Sequence, residues 1–222
     1  MVTVKTNLIF IGNPGIGKSS ILNALAKKEL FNSGFSFKAV TQIFQRVIIG
    51  NVSFVDTLGL DEPKKIEAAA SEIQKALKLG GIYRIFFVIS LEGGILRNTD
   101  IMMIKIILKS LRNVQNLNFG IVVNKIDPDS MEHLKDLDVY NFFGVLKRHI
   151  EQDYDKFNVK QLFFLEHFYK NDWLSKFIPL PNDFLSYIEN FEGTKILPED
   201  VEKIDVSDEE IKKINEKIFK NQ

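Results

Sequence analysis

An eight-residue segment combines three glycines with a lysine and a hydroxyl group: Gly12, Asn13, Pro14, Gly15, Ile16, Gly17, Lys18 and Ser19. An apolar run precedes this segment and a helical pattern follows it. Glycines let backbone N–H groups curl around an anion, and the following helix points its positive end toward the same place. Strand, loop and helix together predict a phosphate-binding loop, the P-loop, whose contacts extend to Ser20. In such a loop Lys18 reaches the β- and γ-phosphates, and Ser19 offers its hydroxyl to Mg²⁺.

Two further positions could complete a site for magnesium and a γ-phosphate. The tetrapeptide DTLG at residues 56–59 follows an apolar strand. We expect Asp56 to hold Mg²⁺ through a water molecule opposite Ser19, and the Gly59 N–H to approach the γ-phosphate closely. Thr41 could donate its hydroxyl to Mg²⁺ and its N–H to the γ-phosphate, as in a loop that is released when this phosphate is lost. Alternatively, Thr41 is a β-branched residue at the start of a strand.

The tetrapeptide Asn124-Lys125-Ile126-Asp127 also follows an apolar strand. A carboxylate at Asp127 can accept two hydrogen bonds from N1–H and N2–H of guanine, whereas adenine offers no donors in that arrangement. The stem of Lys125 can lie along the purine face, and Asn124 can tie its loop to the P-loop. Glu166 follows a later strand and could meet the edge of the guanine, although an exposed glutamate explains it equally well. The sequence therefore predicts a guanine nucleotide as the ligand.

The elements between these segments alternate between apolar runs and helical spacings. The predicted strands cover residues 4–11, 42–49, 52–56, 83–89, 117–123 and 161–165. Helices are predicted between them, with a closing helix near 183–190 and a further helix that opens at Ser207. This alternation predicts an α/β fold in which a mostly parallel six-stranded sheet carries helices on both faces. Because ligands bind at the carboxyl ends of parallel strands, the motifs are expected to meet at one edge of the sheet.

Composition narrows the functional classes. The 222 residues carry equal numbers of acidic and basic side chains, so we expect no nucleic-acid partner. The chain has no cysteine, which excludes disulfides and thiolate metal sites. No signal peptide and no apolar run of membrane-spanning length is recognised. We therefore expect a cytoplasmic protein, with any attachment at the membrane made through a membrane-associated protein partner.

These motifs resemble those of the P-loop GTPases, and more narrowly the AIG1 (immunity-associated, GIMAP-type) family, which is related to the Toc receptors and septins. The specific similarities lie in residues 31–45, 56–60, 72–83 and 96–100. The start of the P-loop, Gly12-Asn13-Pro14, is more similar to Era and FeoB GTPases. The resemblance implies a Ras-like G domain at residues 1–195 with a C-terminal helical extension at 196–222. It also implies GTP or GDP with Mg²⁺ as ligands, and a GTP-dependent homodimer.

Leu60 stands where many GTPases have a glutamine that orients the attacking water. Because leucine cannot hydrogen-bond to water, we expect slow intrinsic hydrolysis. The resemblance implies a remedy, since Arg97 is similar in position to an arginine that Toc-type receptors extend across a dimer. Such an arginine would stabilise charge in the transition state. A solvated loop arginine is the alternative.

The sequence therefore supports three candidate functions. The first is a GTPase in which Lys18, Thr41, Gly59 and Arg97 contribute to slow hydrolysis. The second is a nucleotide-gated scaffold that binds GTP and recruits a partner without meaningful hydrolysis. The third is a GTPase of Era type that acts on ribosomes, against which the zero net charge argues.

Overall fold

The computed structural model describes residues 6–32, 43–60, 64–136, 144, 146–148, 158–167, 177–207 and 209–212. Strands and helices alternate along the first part of the chain: β1 (Thr6–Ile11), α1 (Lys18–Ala26), β2 (Gln45–Ile49), β3 (Val52–Asp56), α2 (Ile66–Leu77) and β4 (Gly81–Ile89). A small hairpin and a second alternation follow: β5 (Leu91–Glu92), β6 (Ile95–Leu96), α3 (Asn98–Ser110), β7 (Asn118–Ile126), α4 (Pro128–Asp136) and β8 (Asn158–Glu166). The described chain closes with α5 (Asn182–Asn190), β9 (Thr194–Ile196) and a 3₁₀ turn at Pro198–Asp200.

The main sheet has the order β2-β3-β1-β4-β7-β8. Strands β3, β1, β4, β7 and β8 are parallel, and β2 pairs with β3 in the antiparallel sense across the Gly50-Asn51 turn. The central strands are apolar along almost their whole length, as expected for strands that are covered on both faces. The predicted α/β fold, a Ras-like G domain with a mostly parallel sheet, is confirmed.

Two apolar clusters cover the two faces of this sheet. One cluster joins the sheet to α2 and α3, whose buried residues include Ile73 and Ile104. The other joins it to α1 and α5 through residues such as Leu22 and Phe184. The buried residues of α2 recur at helical spacing in the sequence: Ala69, Ala70, Ile73, Ala76 and Leu77.

The main sheet has a seventh strand, β9, whereas the sequence predicts six. It pairs in the antiparallel sense with the amino-terminal end of β4, far from the carboxyl ends of the strands. Residues 201–206 then lie against α2 and α3, where Val201, Ile204 and Val206 are buried in the same cluster. The backbone N–H of Glu202 donates to the Ser110 carbonyl oxygen at 2.8 Å.

The predicted helix after Ser207 begins within the described residues. The Glu210 N–H donates to Ser207 Oγ at 3.4 Å, as expected for an N-terminal cap. Glu210 also forms an ion pair with Lys109 of α3 at 2.6 Å. The first turn of this helix therefore docks on its own domain. Within the part of the chain that the structure describes, no helix has the length and apolarity needed to cross a bilayer.

Candidate functional site

The P-loop connects the buried end of β1 to the start of α1, as its sequence pattern predicts. Gly17 caps α1 with φ 98°, a left-handed conformation that is strained for other residues. A Cβ at Gly17 would lie 2.6 Å from Nδ2 of Asn124. The glycine is thus required by its backbone conformation and by the close approach of a side chain from β7.

Lys18 points its ammonium back into the loop. Its Nζ donates to the carbonyl oxygens of Gly12 at 2.8 Å and Asn13 at 3.1 Å. The lysine is only 7% exposed, and this burial lowers the pKa of its ammonium to about 8, although the charges of Asp56 and Asp100 act to raise it. A buried cation held by two carbonyl oxygens of a glycine-rich loop is suited to bind a chain of phosphates.

Ser19, in the first turn of α1, meets Asp56, the last residue of β3. Ser19 Oγ donates to Asp56 Oδ2 at 2.6 Å, and Asp56 is fully buried at the carboxyl end of β3. A hydroxyl and a carboxylate are hard oxygen ligands of the kind that Mg²⁺ takes together with substrate phosphates. The pair therefore fits a magnesium ion. Among the described residues, no group of three His, Cys, Asp or Glu side chains could hold a metal without such phosphates.

Gly59 lies directly against the P-loop. A Cβ at this position would come 2.2 Å from Cδ of Pro14 and 2.5 Å from its backbone nitrogen, so only glycine fits. The neighbouring Thr57 fixes the segment, because its Oγ1 donates to the Phe10 carbonyl oxygen at 2.9 Å. Thr41, the other predicted γ-phosphate contact, lies outside the described residues.

The tetrapeptide at residues 124–127 is attached to the P-loop by two hydrogen bonds. Asn124 Nδ2 donates to the Ile16 carbonyl oxygen at 2.6 Å, and Lys125 Nζ donates to the Gly15 carbonyl oxygen at 2.6 Å. Lys125 adopts a left-handed backbone with φ 63°, which turns the chain sharply at the end of β7. The sequence anticipated the Asn124 contact, and the structure brings both segments together.

Asp127 is exposed at the mouth of this region and opens α4. Its Oδ1 accepts a hydrogen bond from the Ser130 N–H at 2.8 Å. Hydrogen bonds from Ser130 hold the pKa of the Asp127 carboxyl below its usual value, so the carboxylate is ionised at neutral pH. Glu166 lies opposite Ile126 in the β7–β8 register, next to the same tetrapeptide.

Arg97 does not extend freely from its loop. Its guanidinium forms a bidentate ion pair with Asp100, with Nη2 at 2.9 Å from Oδ1 and Nε at 3.2 Å from Oδ2. Asp100 in turn accepts a hydrogen bond from Nδ2 of the P-loop residue Asn13 at 2.7 Å. Asp100 ends the segment at residues 96–100, in which the sequence motifs predict a role for Arg97 and none for Asp100.

Comparison with known proteins places this arrangement in a family. Residues 7–125, more than half of the chain, match the sequence model described as "50S ribosome-binding GTPase". The chain belongs to the 50S ribosome-binding GTPase family. The P-loop, Asp56, Gly59, Asn124 and Lys125 all lie within the matched residues.

One relative of this GTPase extends far beyond the matched segment. It is similar to the "Probable tRNA modification GTPase MnmE" of Cyanidium caldarium, with 32% identity over 130 residues. That match takes in 55% of this chain and 26% of the relative, so the GTPase spans about a quarter of that protein.

Solved structures agree on the fold. A structure of the chloroplast translocon components atToc33 and psToc159 matches with a TM-score of 0.56 and 15% identity, over 96% of this chain and 84% of that chain. A dimerization-deficient mutant of Toc33 from Arabidopsis thaliana matches with a TM-score of 0.52 and 16% identity, over 86% and 87% of the two chains. At these identities the likeness concerns the fold alone. The narrower AIG1 type is not what the matching family model describes.

Proposed function

We propose that this GTPase binds GTP and GDP together with Mg²⁺ and acts as a switch that hydrolyses GTP slowly. The observation that carries the proposal is the attachment of the base-reading segment to the P-loop, through Asn124 to Ile16 and Lys125 to Gly15. A single nucleotide could then contact both segments, with its phosphates in the P-loop and its base near Asp127.

Each residue has a proposed task. Backbone amides of residues 12–20 and the Lys18 ammonium bind the phosphates, while Asn124, Lys125, Asp127 and Glu166 surround the base. Ser19, Asp56 and Thr41 are proposed to hold Mg²⁺, which supplies positive charge to the β- and γ-phosphates when it is bound. Gly59 is proposed to approach the γ-phosphate through its N–H, because no side chain separates its backbone from the P-loop.

Slow hydrolysis is supported by the environment of Leu60. This side chain is 2% exposed and belongs to the apolar cluster beneath α2. It neither hydrogen-bonds to water nor faces the solvent, so residue 60 does not orient an attacking water molecule. Dimerisation through the nucleotide face, with Arg97 acting on the partner's nucleotide, would be one way to raise the rate.

The second candidate is a nucleotide-gated scaffold, and the same burial of Leu60 favours it. Phosphate release under single-turnover conditions separates the two candidates. The wild-type protein is mixed with a substoichiometric amount of GTP and Mg²⁺, and Lys18→Ala serves as the inactive reference. A slow release that exceeds this reference supports the GTPase. Release equal to the reference, with GTP still bound, supports the scaffold.

The sequence also supports finer proposals about the family type, the domain division and the partners. The AIG1 type rests on motif similarity, and the division into a G domain at 1–195 and an extension at 196–222 rests on the sequence. The cytoplasmic location, the homodimer and the membrane-associated partner are proposed on the same basis. The description of the family suggests a ribosomal partner. The zero net charge of the chain argues against a partner made of nucleic acid. Co-sedimentation with 50S subunits in GDP and in a GTP analogue tests that partner.

A further inference from the structure

Asp100 is completely buried in the first turn of α3, although it carries a carboxylate. Besides Asn13 and the two guanidinium nitrogens of Arg97, the Ser90 N–H donates to its Oδ2 at 3.1 Å. A buried carboxylate is tolerated when it is paired and hydrogen-bonded in this way. Three segments therefore meet at one charge: the P-loop, the end of β4 and the turn before α3.

Asn13 is the P-loop member of this cluster, and its side chain is almost completely buried. Its Nδ2 donates to Asp100, while no described residue donates to its Oδ1. If the Asn13 side-chain amide were rotated by 180°, its Oδ1 would face the Asp100 Oδ1, and two acceptors would meet without a proton between them. Asp100 therefore determines how this amide is oriented. The backbone carbonyl oxygen of Asn13 also accepts a hydrogen bond from Lys18 Nζ. The residue that Asp100 orients is therefore in direct contact with the phosphate-binding lysine.

We propose that Asp100 is a positioning residue for phosphate binding, which fixes the first turn of the P-loop through the amide of Asn13. The proposal rests on the proposed function, because the affected ligand is the phosphate chain of a guanine nucleotide. Asp100 does not touch that ligand itself. Arg97 balances the Asp100 charge from the solvent side, where its side chain is 26% exposed.

A double-mutant cycle with a matched control tests this proposal. Asp100→Asn keeps the size of the side chain and removes its charge, and Asn13→Ala removes the amide. Asn7→Ala is the control, because Asn7 is also buried in this fold and donates to the Gly80 carbonyl oxygen at 2.9 Å, at the opposite end of β1. The dissociation rate of fluorescent GDP and the free energy of unfolding are measured for each variant.

We expect Asp100→Asn and Asn13→Ala each to release GDP about tenfold faster, and the double variant to release it no faster than the single variants. Asn7→Ala is expected to lose stability and to release GDP at the wild-type rate. A purely structural role predicts lower stability without faster release. An unchanged release rate in Asp100→Asn, or effects that multiply in the double variant, would overturn the proposal.

Hydrogen exchange in the nucleotide-free protein separates this proposal from the proposed function. Asp100→Asn is expected to speed exchange of the backbone N–H groups of Asn13 and residues 15–17, and Asn7→Ala is not. A wild-type protein that fails to bind GDP would contradict the proposed function. The exchange of the P-loop amides would still decide the role of Asp100, because unchanged exchange in Asp100→Asn overturns it.

Discussion

Nδ2 of Asn124 donates to the carbonyl oxygen of Ile16 at 2.6 Å, across 108 positions of sequence. This hydrogen bond attaches the end of β7 to the P-loop that follows β1. The two strands are not neighbours, because β4 lies between them in the sheet. The segment at residues 124–127 and the P-loop are therefore held next to each other.

The identity of the base is tested by Asp127→Asn. The amide presents a donor where guanine also offers donors, so GTP affinity should fall and xanthosine triphosphate affinity should rise. Asp129→Asn is the matched control, because it removes the same charge from an exposed position two residues away, in the first turn of α4. Fluorescent-nucleotide titrations measure both affinities, and an Asp127→Asn protein that still prefers GTP would refute the base assignment.

The phosphate role of Lys18 is tested by Lys18→Ala. Loss of a charge-assisted contact should weaken GTP binding by about 3 kcal/mol, or roughly 100-fold. Lys28→Ala, at an exposed position after α1, should leave binding unchanged. Calorimetric titration gives the affinities, and circular dichroism verifies the fold. Equal GTP affinity in Lys18→Ala and the wild type would contradict the role.

The lowered pKa of Lys18 predicts a dependence on pH. Burial brings this pKa from 10.5 to about 8, so the folded protein releases a proton that the unfolded chain still holds. The nucleotide-free protein should therefore gain stability as the pH rises through that interval, whereas nucleotide affinity should fall.

Proton uptake on binding measures this effect. Titrations with GDP at about pH 9, in two buffers of different ionisation enthalpy, give the number of protons taken up. The wild type should take up a fraction of a proton that Lys18→Ala does not. Equal proton uptake by both proteins would show that Lys18 is not the titrating group.

The packing of Gly59 on Pro14 predicts a selective loss. In Gly59→Ala the new methyl group must displace residues 57–60 from the P-loop, at a cost of about 1–3 kcal/mol. Binding of a non-hydrolysable GTP analogue should weaken more than binding of GDP. Gly144→Ala is the control, because a Cβ there meets no atom within 4 Å. If Gly59→Ala weakened the binding of GDP and of the GTP analogue equally, Gly59 would not contact the γ-phosphate.

The proposed action of Arg97 across a dimer predicts that turnover per protomer rises with protein concentration. Arg97→Ala should flatten this dependence, and the Asp100 ion pair must open before Arg97 can reach a partner. Arg112→Ala is the control, because Arg112 forms a similar ion pair with Glu202 at 2.9 Å away from the site. A flat curve for the wild type would exclude the mechanism, as would an Arg97→Ala curve that rises like the control.

The sequence predicts most of the main sheet because its central strands are continuous apolar runs. Thr6–Ile11, Val52–Asp56 and Gly81–Ile89 all coincide with predicted strands to within two residues at the described ends. The sequence does not predict the β5–β6 hairpin or β9. They have two or three residues each, too few for a periodic pattern, and β9 is held by its pairing with β4.

The site also contains residues that the sequence predicts and one that it does not. Lys18, Asp56 and Asn124 stand in local motifs whose spacing predicts their chemistry, whereas Asp100 does not. An aspartate in the first turn of a helix is common for electrostatic reasons alone, and its contact with Asn13 spans 87 positions. Residues 96–100 resemble a family motif, but that resemblance implies a role for Arg97 and not for Asp100.

A competition titration of the wild-type protein examines whether the separated segments form one guanine-nucleotide site. Fluorescent GDP is bound in the presence of Mg²⁺ and then displaced by unlabelled GTP, GDP or ATP. We predict that GTP and GDP displace the probe completely and that ATP does not. Displacement by ATP as effective as that by GTP, or no binding of guanine nucleotide at all, would contradict the site described above.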